Sequence, residues 1–265
     1  MSTARAGPPS TVVSRMKVTA STPRNVTRAR HDGPPDPVEL RSARVPQPTP
    51  KAPDVTKPLL RGVIHHYAFF ASLAAGVLLL TLAPTGRALA AVAAYGFSLS
   101  ALLGASALFH RVTWSDRARR WMGRLDHSMI SMLIAGTYTP VGVLAVSGTI
   151  AAVLLGIVWG GALAGIALHV LWVDMPKWLS ALLYVALGWV GVVATPQLVE
   201  NAGWTVAALL LAGGILYSVG ALVYALRRPD PRPDVFGYHE VFHTLVVVAA
   251  AVHYVAVVLI VLPDA

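Results

Sequence analysis

The stretch HSMISMLIAGTYTPVGVLAVSGTIAAVLLGIVWGGALAGIALHVLWV, residues 127–173, contains no aspartate, glutamate, lysine or arginine. A single helix of that length would measure about 70 Å, more than twice the roughly 30 Å hydrocarbon core of a bilayer. We therefore expect two membrane-spanning helices here, joined at Ser147-Gly148-Thr149. Helices are predicted rather than barrel strands, because backbone polar groups in lipid must be satisfied within each long apolar segment.

The rest of the chain after residue 57 repeats this pattern. The composition is 55% hydrophobic and 12% charged, whereas a typical soluble domain carries about 25% charged residues. The predicted fold is all-α, an integral membrane seven-transmembrane-helix bundle that occupies residues 58–265 as one domain. The predicted segments are 63–83, 88–110, 126–146, 149–172, 178–196, 203–226 and 239–262.

Residues 1–57 are rich in Pro, Ser, Thr and Arg and contain no apolar run. This composition predicts a disordered, basic, Pro-rich tail and is unlike a secretory signal peptide. Met16 is a candidate start beside Met1. The net charge of +9 is concentrated in this tail and in short loops, which fits topology and membrane lipids better than nucleic acid. No nucleic-acid partner is predicted, and the oligomeric state stays open.

The placement of Lys and Arg also predicts the orientation. The tail and the loops after the second, fourth and sixth segments carry nearly all of these residues, and Arg87 alone falls on the other side. The positive-inside rule then places the N-terminus in the cytoplasm and the C-terminus outside. An odd number of crossings is required, and seven satisfies it.

Ligand-type side chains recur at the ends of three segments that this orientation brings to the cytoplasmic face. Ser106 and His110 end the second segment, Asp126 opens the third, and His239 and His243 open the seventh. Side chains four residues apart share a helix face, so His239 and His243 can bind one metal ion. His110 is the natural third ligand. The chain has no cysteine, which leaves histidines and carboxylates as the available ligands.

Three histidines with a water in the fourth position form a tetrahedral catalytic zinc site. Asp126 is then the candidate general base that accepts a hydrogen bond from that water. Ser106, one turn before His110, is a candidate for hydrogen bonding within the site. The plainer alternative is three unrelated histidines and an aspartate that caps a helix. Ionisable side chains inside membrane spans are costly and usually functional, which favours a metal site over this alternative.

The segment His239-Glu-Val-Phe-His243 also matches the H-E-x-x-H pattern of zincin proteases, in which the glutamate is the base. A zincin usually takes its third ligand from downstream, but His253 lies about 15 Å farther along the helix. The third ligand must come from upstream, which disfavours a protease. Glu240 is left open between a base and a partner for arginines.

The remaining features receive structural interpretations. His65 and His66 lie at the cytoplasmic edge of the first segment, where interfacial placement suffices, and His169 is expected to face water. His253 is expected to form an interhelical hydrogen bond, and Pro140 to kink the third helix. Close helix packing is expected at Gly156, Gly160, Gly161 and Gly165.

An ordered set of motifs gives the chain a family resemblance. It resembles the hemolysin III family, a bacterial branch of the progestin and adipoQ receptor superfamily, over roughly residues 57–262. The motifs are Arg61-Gly62 with His65, Ser106-Ala-Leu-Phe-His110, Leu125-Asp126-His127-Ser128, Ile134-Ala135-Gly136-Thr137-Tyr138-Thr139-Pro140 and His239-Glu-Val-Phe-His243.

The resemblance implies seven helices with the N-terminus inside a bacterial plasma (inner) membrane. In the related adiponectin receptors three histidines of helices 2 and 7 hold zinc, and His110, His239 and His243 match them. Asp126 matches an aspartate that contacts the zinc-bound water, and Ser106 matches a serine of helix 2. The superfamily is grouped with alkaline ceramidases, and membrane-embedded amide hydrolysis has been proposed for it.

Three functions follow as expectations. The first is zinc-dependent hydrolysis of a lipid amide or acyl bond by a ceramidase-like enzyme. The second is a non-enzymatic membrane-homeostasis regulator or receptor with structural zinc. The third is a hemolysin-type pore, which is disfavoured because few polar residues recur along any span.

Overall fold

The computed structural model describes residues 57–84, 86–172 and 175–262. The tail predicted for residues 1–57 lies outside these ranges except for Lys57. Six helical stretches are long and apolar enough to cross a membrane. The described residues contain no strand beyond a single bridge between Arg232 and Phe236. The chain is therefore an all-helical membrane protein.

Seven α-helices follow one another within the described residues. A π-helical turn at Val141–Ala145 follows the third helix, and a 3-10 turn at Val190–Ala194 follows the fifth. Successive helices pack as neighbours, and the last helix also packs against the first, which closes the bundle. The helices are α1 (Val63–Leu82), α2 (Arg87–Arg111), α3 (Asp116–Pro140), α4 (Gly148–Leu171), α5 (Lys177–Gly188), α6 (Thr195–Leu226) and α7 (Tyr238–Val261).

The stretch from Lys177 to Leu226 folds back on itself at Gly203. It is 50 residues long, or about 75 Å if it were one straight helix. Gly203 has φ 83° and ψ 167°, a conformation that residues with a Cβ rarely adopt. Trp189 Nε1 donates to Ser218 Oγ at 2.9 Å, so residues about equally far before and after Gly203 meet. The two halves therefore run antiparallel.

The third helix begins ten residues earlier than the sequence predicted, at Asp116 instead of Asp126. Ser115 caps its N-terminus, with Oγ accepting from the Ala118 N–H at 3.5 Å. Hydropathy marks where a helix enters lipid, whereas this helix starts in the charged segment before it. Asp126 thus lies inside α3, and its alternative interpretation as a helix cap is wrong.

Two packing expectations have different outcomes. The α-helical geometry of α3 ends at Pro140, where the missing N–H and the ring disfavour continuation, and a π-helical turn follows; the predicted kink stays a prediction. In α4, a Cβ added at Gly161 would lie 2.6 Å from Leu187, and one at Gly165 would lie 2.7 Å from Ser131 Oγ. The prediction is wrong for Gly156 and Gly160, where an added Cβ would meet nothing within 4 Å.

Candidate metal centre

Three histidines meet where the end of α2 faces the start of α7. The Nε2 atoms of His110 and His239 are 3.2 Å apart. One ring nitrogen from each of His110, His239 and His243 lies within 4.8 Å of the others. His110 and His243 are buried. The structure therefore brings together the three side chains that the sequence nominated, and together they could hold a metal ion.

The spacing of one pair of ring nitrogens suits a zinc ion, while the three nitrogens together lie within 4.8 Å of one another. Two nitrogens that each bind zinc at about 2.05 Å, separated by the tetrahedral angle, are about 3.3 Å apart. The 3.2 Å between the Nε2 atoms of His110 and His239 is close to that value. The same contact also suits a hydrogen bond between two neutral imidazoles, one donating and one accepting. His243 Nδ1 is buried and has no hydrogen-bond partner among the described residues, which leaves an available donor atom.

A carboxylate and a hydroxyl lie beside the histidines. Asp126 Oδ2 is 3.8 Å from His110 Nε2. The buried Ser106 hydroxyl and the Asp126 carboxylate line one cavity. Both residues line the same cavity as His239 and His243. Thus α2, α3 and α7 each contribute to one cluster, as the sequence predicted from three separate motifs.

His239, His243, Asp126 and Ser106 line a cavity of about 570 Å³, and His110 is not part of its described lining. This volume is within the range of small-molecule sites. Away from the cluster the lining is largely apolar and comes from several helices, including Ile130, Leu133, Val185, Leu211 and Val246. The cavity therefore combines a few polar and ionisable side chains with a largely apolar lining.

Glu240 contacts Arg61 and the backbone of Gly237 and is not part of the histidine cluster. It is 1% exposed, its Oε1 lies 2.7 Å from Arg61 Nε, and its Oε2 accepts from the Gly237 N–H at 2.9 Å. One carboxylate therefore pairs with an arginine and also caps the N-terminus of α7. Of the two roles left open for Glu240, this geometry favours the arginine partner over the base of a zincin.

The residues just before α1 and in its first turn make contacts that the sequence analysis did not predict. His65 was placed at the water-facing edge, but it is 3% exposed, and its ring stacks on His243 with centroids 3.8 Å apart. Gly62 has φ 76°, and a Cβ there would lie 2.6 Å from His110 Cβ. The spacing of Arg61, Gly62 and His65 was the available signal. These residues cover two of the three clustered histidines.

A second group of polar side chains lies next to the cluster. His169, expected to face water, is buried, and its Nε2 lies 2.9 Å from the Tyr184 hydroxyl. His127 Nε2 lies 3.2 Å from the Tyr224 hydroxyl. The expectation for His253 is confirmed: its Nε2 lies 3.0 Å from the Leu210 carbonyl of the neighbouring helix.

Comparison with known proteins identifies relatives over most of the helical region. The family model described as Haemolysin-III related matches residues 54–254, a range that contains every candidate site residue. Hemolysin-3 of Bacillus cereus is 35% identical over 181 residues, which cover 68% of this chain and 80% of that protein. The Hemolysin-3 homolog of Bacillus subtilis (strain 168) is 34% identical, covering 59% of this chain and 70% of that protein. The adiponectin receptor protein of Drosophila melanogaster is 26% identical, covering 57% of this chain and 38% of that protein.

Replacing Arg61 with methionine is expected to destabilise the fold, because Glu240 would remain buried without a counter-ion. Removing one partner of a buried ion pair costs about 3–5 kcal/mol. We expect the unfolding midpoint in detergent to fall clearly for Arg61→Met. The double variant Arg61→Met/Glu240→Gln should recover most of that loss, since glutamine keeps an acceptor for the Gly237 N–H.

Arg117→Met is the matched control, because Arg117 is exposed and lies outside the cluster. An Arg61→Met variant that melts with the control would show that the Arg61–Glu240 pair does not hold α1 to α7.

Proposed function

Because this chain belongs to the hemolysin III family of the progestin and adipoQ receptor superfamily, we propose that it is a zinc-dependent hydrolase of lipid amide or acyl bonds. The observation that supports this most is the meeting of three imidazoles and a carboxylate beside a largely apolar cavity, which Asp126, His239 and His243 help to line. Ionisable groups within membrane spans are costly, and they commonly mark functional sites.

His110, His239 and His243 would hold the ion. Imidazole nitrogen is a common zinc ligand, and three protein ligands with one open position are typical of catalytic zinc sites. When bound, zinc would supply Lewis acidity, which activates water and polarises the carbonyl of the scissile bond. Asp126 lies close to His110 without belonging to the histidine set, so its carboxylate remains available as a base.

The proton transfers fall to Asp126. Its carboxylate accepts a proton from the attacking water, whose oxygen bonds to the carbonyl carbon. When the carbon–nitrogen bond of an amide substrate breaks, the same carboxyl group returns the proton to the leaving nitrogen. The Ser106 hydroxyl orients the Asp126 carboxylate in the resting site and is a candidate donor to the developing oxyanion.

The apolar cavity supports a lipid as the substrate. Its lining by side chains such as Leu133, Leu211 and Val246 suits an acyl chain, and burial of each methylene contributes about 0.8 kcal/mol. Excluding bulk water from this space also strengthens the electrostatic contacts at the cluster. The bond to be cleaved would then lie at the cavity's polar end, beside Asp126.

A second candidate is a non-enzymatic regulator or receptor with structural zinc. The observation that favours it is the 3.8 Å separation of Asp126 Oδ2 from His110 Nε2. A small movement would make the carboxylate a fourth ligand, and four protein ligands are typical of structural zinc. The two candidates therefore differ in the role of Asp126.

We further propose seven crossings of a bacterial plasma membrane, with the N-terminus in the cytoplasm. The antiparallel halves of Lys177–Leu226 support two crossings by that stretch. The cations flanking it, Lys177 and Arg227, then face the same side as the arginines at the start of α3. This orientation places the histidine cluster near the cytoplasmic surface.

Replacing Asp126 with asparagine is expected to lower the turnover of ceramide-like or N-acyl lipids by about 10²–10⁴-fold, because the amide cannot accept the proton. Zinc content should be unchanged. Fatty-acid release in detergent and metal analysis of the same preparation measure both. Glu200→Gln, at an exposed position outside the cluster, is the matched carboxylate-to-amide control and should retain turnover. Full activity of Asp126→Asn would disprove the mechanism, and loss of zinc from it would favour the structural-zinc candidate.

The crossings can be tested by cysteine labelling, since the chain has no native cysteine. In spheroplasts, a membrane-impermeant maleimide should label Ser147→Cys and Glu200→Cys, because both positions would face outward. Asp234→Cys should react only after permeabilisation. All three positions are exposed. Labelling of Asp234→Cys in sealed spheroplasts would show that the orientation is the opposite of the one proposed. Protection of Glu200→Cys would contradict the proposal that Lys177–Leu226 crosses the membrane twice.

A further inference from the structure

A second pocket, of about 410 Å³, lies between the start of α3 and the junction of α4 and α5. It shares His127 and Tyr224 with the large apolar cavity. Its remaining lining differs, and it contains no residue of the proposed metal set. The volume falls within the range of small-molecule sites.

The pocket is strongly basic. Arg119, Arg120 and Arg124 of α3 line it together with Lys177 of α5, against Asp116 as the one acidic residue among its described lining. Arg120 and Arg124 are one helical turn apart and share a face. Arg124 Nε is buried and has no hydrogen-bond partner within the described ranges. Basic side chains from two helices therefore line one pocket, although Lys177 Nζ also donates to the Tyr238 hydroxyl and the Arg124 guanidinium lies over the Trp121 ring.

In the described part of the chain, no carboxylate lies within ion-pair distance of the four basic residues of the pocket. Lys57, which lies outside the spanning helices, is close enough to this region for its pKa to be affected by the positive charges. Its pKa is lowered by partial burial and by the nearby charges of Arg119, Arg61 and Arg111.

Exposed tryptophans place the pocket at the level of the lipid headgroups. Trp121, Trp172 and Trp178 are 54%, 48% and 61% exposed. Indole rings concentrate at membrane–water interfaces, where an apolar ring and a polar N–H are both satisfied. Trp172 itself lines the pocket. A ligand in this pocket would therefore be beside the headgroups and glycerol backbones of the bilayer.

Topology alone does not explain the arrangement, because the positive-inside rule requires the charges on one side but not their convergence. We propose that this pocket binds the phosphate of an anionic glycerophospholipid headgroup. The planar guanidinium groups of Arg120 and Arg124 donate to the phosphate oxygens. Lys177 adds a point charge from the opposite wall, and Trp172 contacts the glycerol region. The site does not depend on zinc or on hydrolysis.

The test uses the full-length protein in an uncharged detergent. Short-chain phosphatidylglycerol, short-chain phosphatidylcholine and glycerol 3-phosphate are titrated separately while the unfolding midpoint is recorded. The proposal predicts a saturable rise with phosphatidylglycerol. It predicts little effect of phosphatidylcholine, whose choline cation is repelled by the pocket. Glycerol 3-phosphate should act only weakly, because it lacks the chains that contact the bilayer-facing tryptophans.

Two double variants each remove two positive charges from the region where α2 ends and α3 begins. Arg120→Gln/Arg124→Gln should weaken the apparent affinity for phosphatidylglycerol by at least about tenfold, as expected for lost hydrogen bonds to a charged group. Arg111→Gln/Arg117→Gln, at exposed positions outside the pocket, should stay near wild type. Monodisperse elution and unchanged zinc content establish that each variant is folded.

Three results would overturn the proposal. Equal losses in both double variants would reduce the effect to general charge attraction. Equal stabilisation by phosphatidylcholine and phosphatidylglycerol would exclude an anion-selective pocket. Saturating stabilisation by glycerol 3-phosphate alone would assign the pocket to a soluble phosphate ester instead of a lipid.

Discussion

The structure depends on keeping ionisable side chains inside a membrane protein, where water cannot solvate them. An unpaired charge or unsatisfied polar atom in such a setting is costly. Each described polar group near the start of α7 therefore has a nearby polar or aromatic contact. His110 meets His239, Glu240 meets Arg61, and His65 stacks on His243. A bound metal ion would satisfy the histidine nitrogens that these contacts leave free.

These contacts also connect helices that are distant in sequence. The segment before α1 reaches α7 through Arg61 and Glu240, and Gly62 allows its backbone to approach His110 in α2. Asp126 adds α3 to the same cluster. The geometry proposed for catalysis therefore relies on the packing of four helices. Breaking the Arg61–Glu240 pair would therefore alter the packing around the histidine cluster, although neither residue is a proposed metal ligand.

Much of the candidate site could be predicted from the sequence because its signals are local. His239 and His243 are one turn apart, and the distribution of Lys and Arg placed His110 and Asp126 at the same membrane face. The start of α3 could not be predicted in this way, since hydropathy marks the lipid boundary and not the first helical residue. The burial of His65 was also missed, and the sequence left Glu240 open between a base and an arginine partner, because contacts between non-adjacent helices leave no periodic pattern.

The two cavities differ in the polarity and charge of their linings. The larger one is apolar with a reactive polar end, and the smaller one is basic and lies among exposed tryptophans. His127 and Tyr224, which border both, lie within 3.2 Å of each other. A lipid headgroup in the basic pocket would contact the wall of the apolar cavity. Any coupling between the pockets would pass through this pair of residues.

The most direct test of the central claim is elemental analysis of the purified full-length protein, prepared without chelators. The account predicts about one zinc per chain, as in other sites with three histidine ligands. It also predicts loss of that zinc from folded His110→Ala and His239→Ala/His243→Ala variants. A folded wild-type protein without zinc, or variants that keep the full amount, would contradict the account.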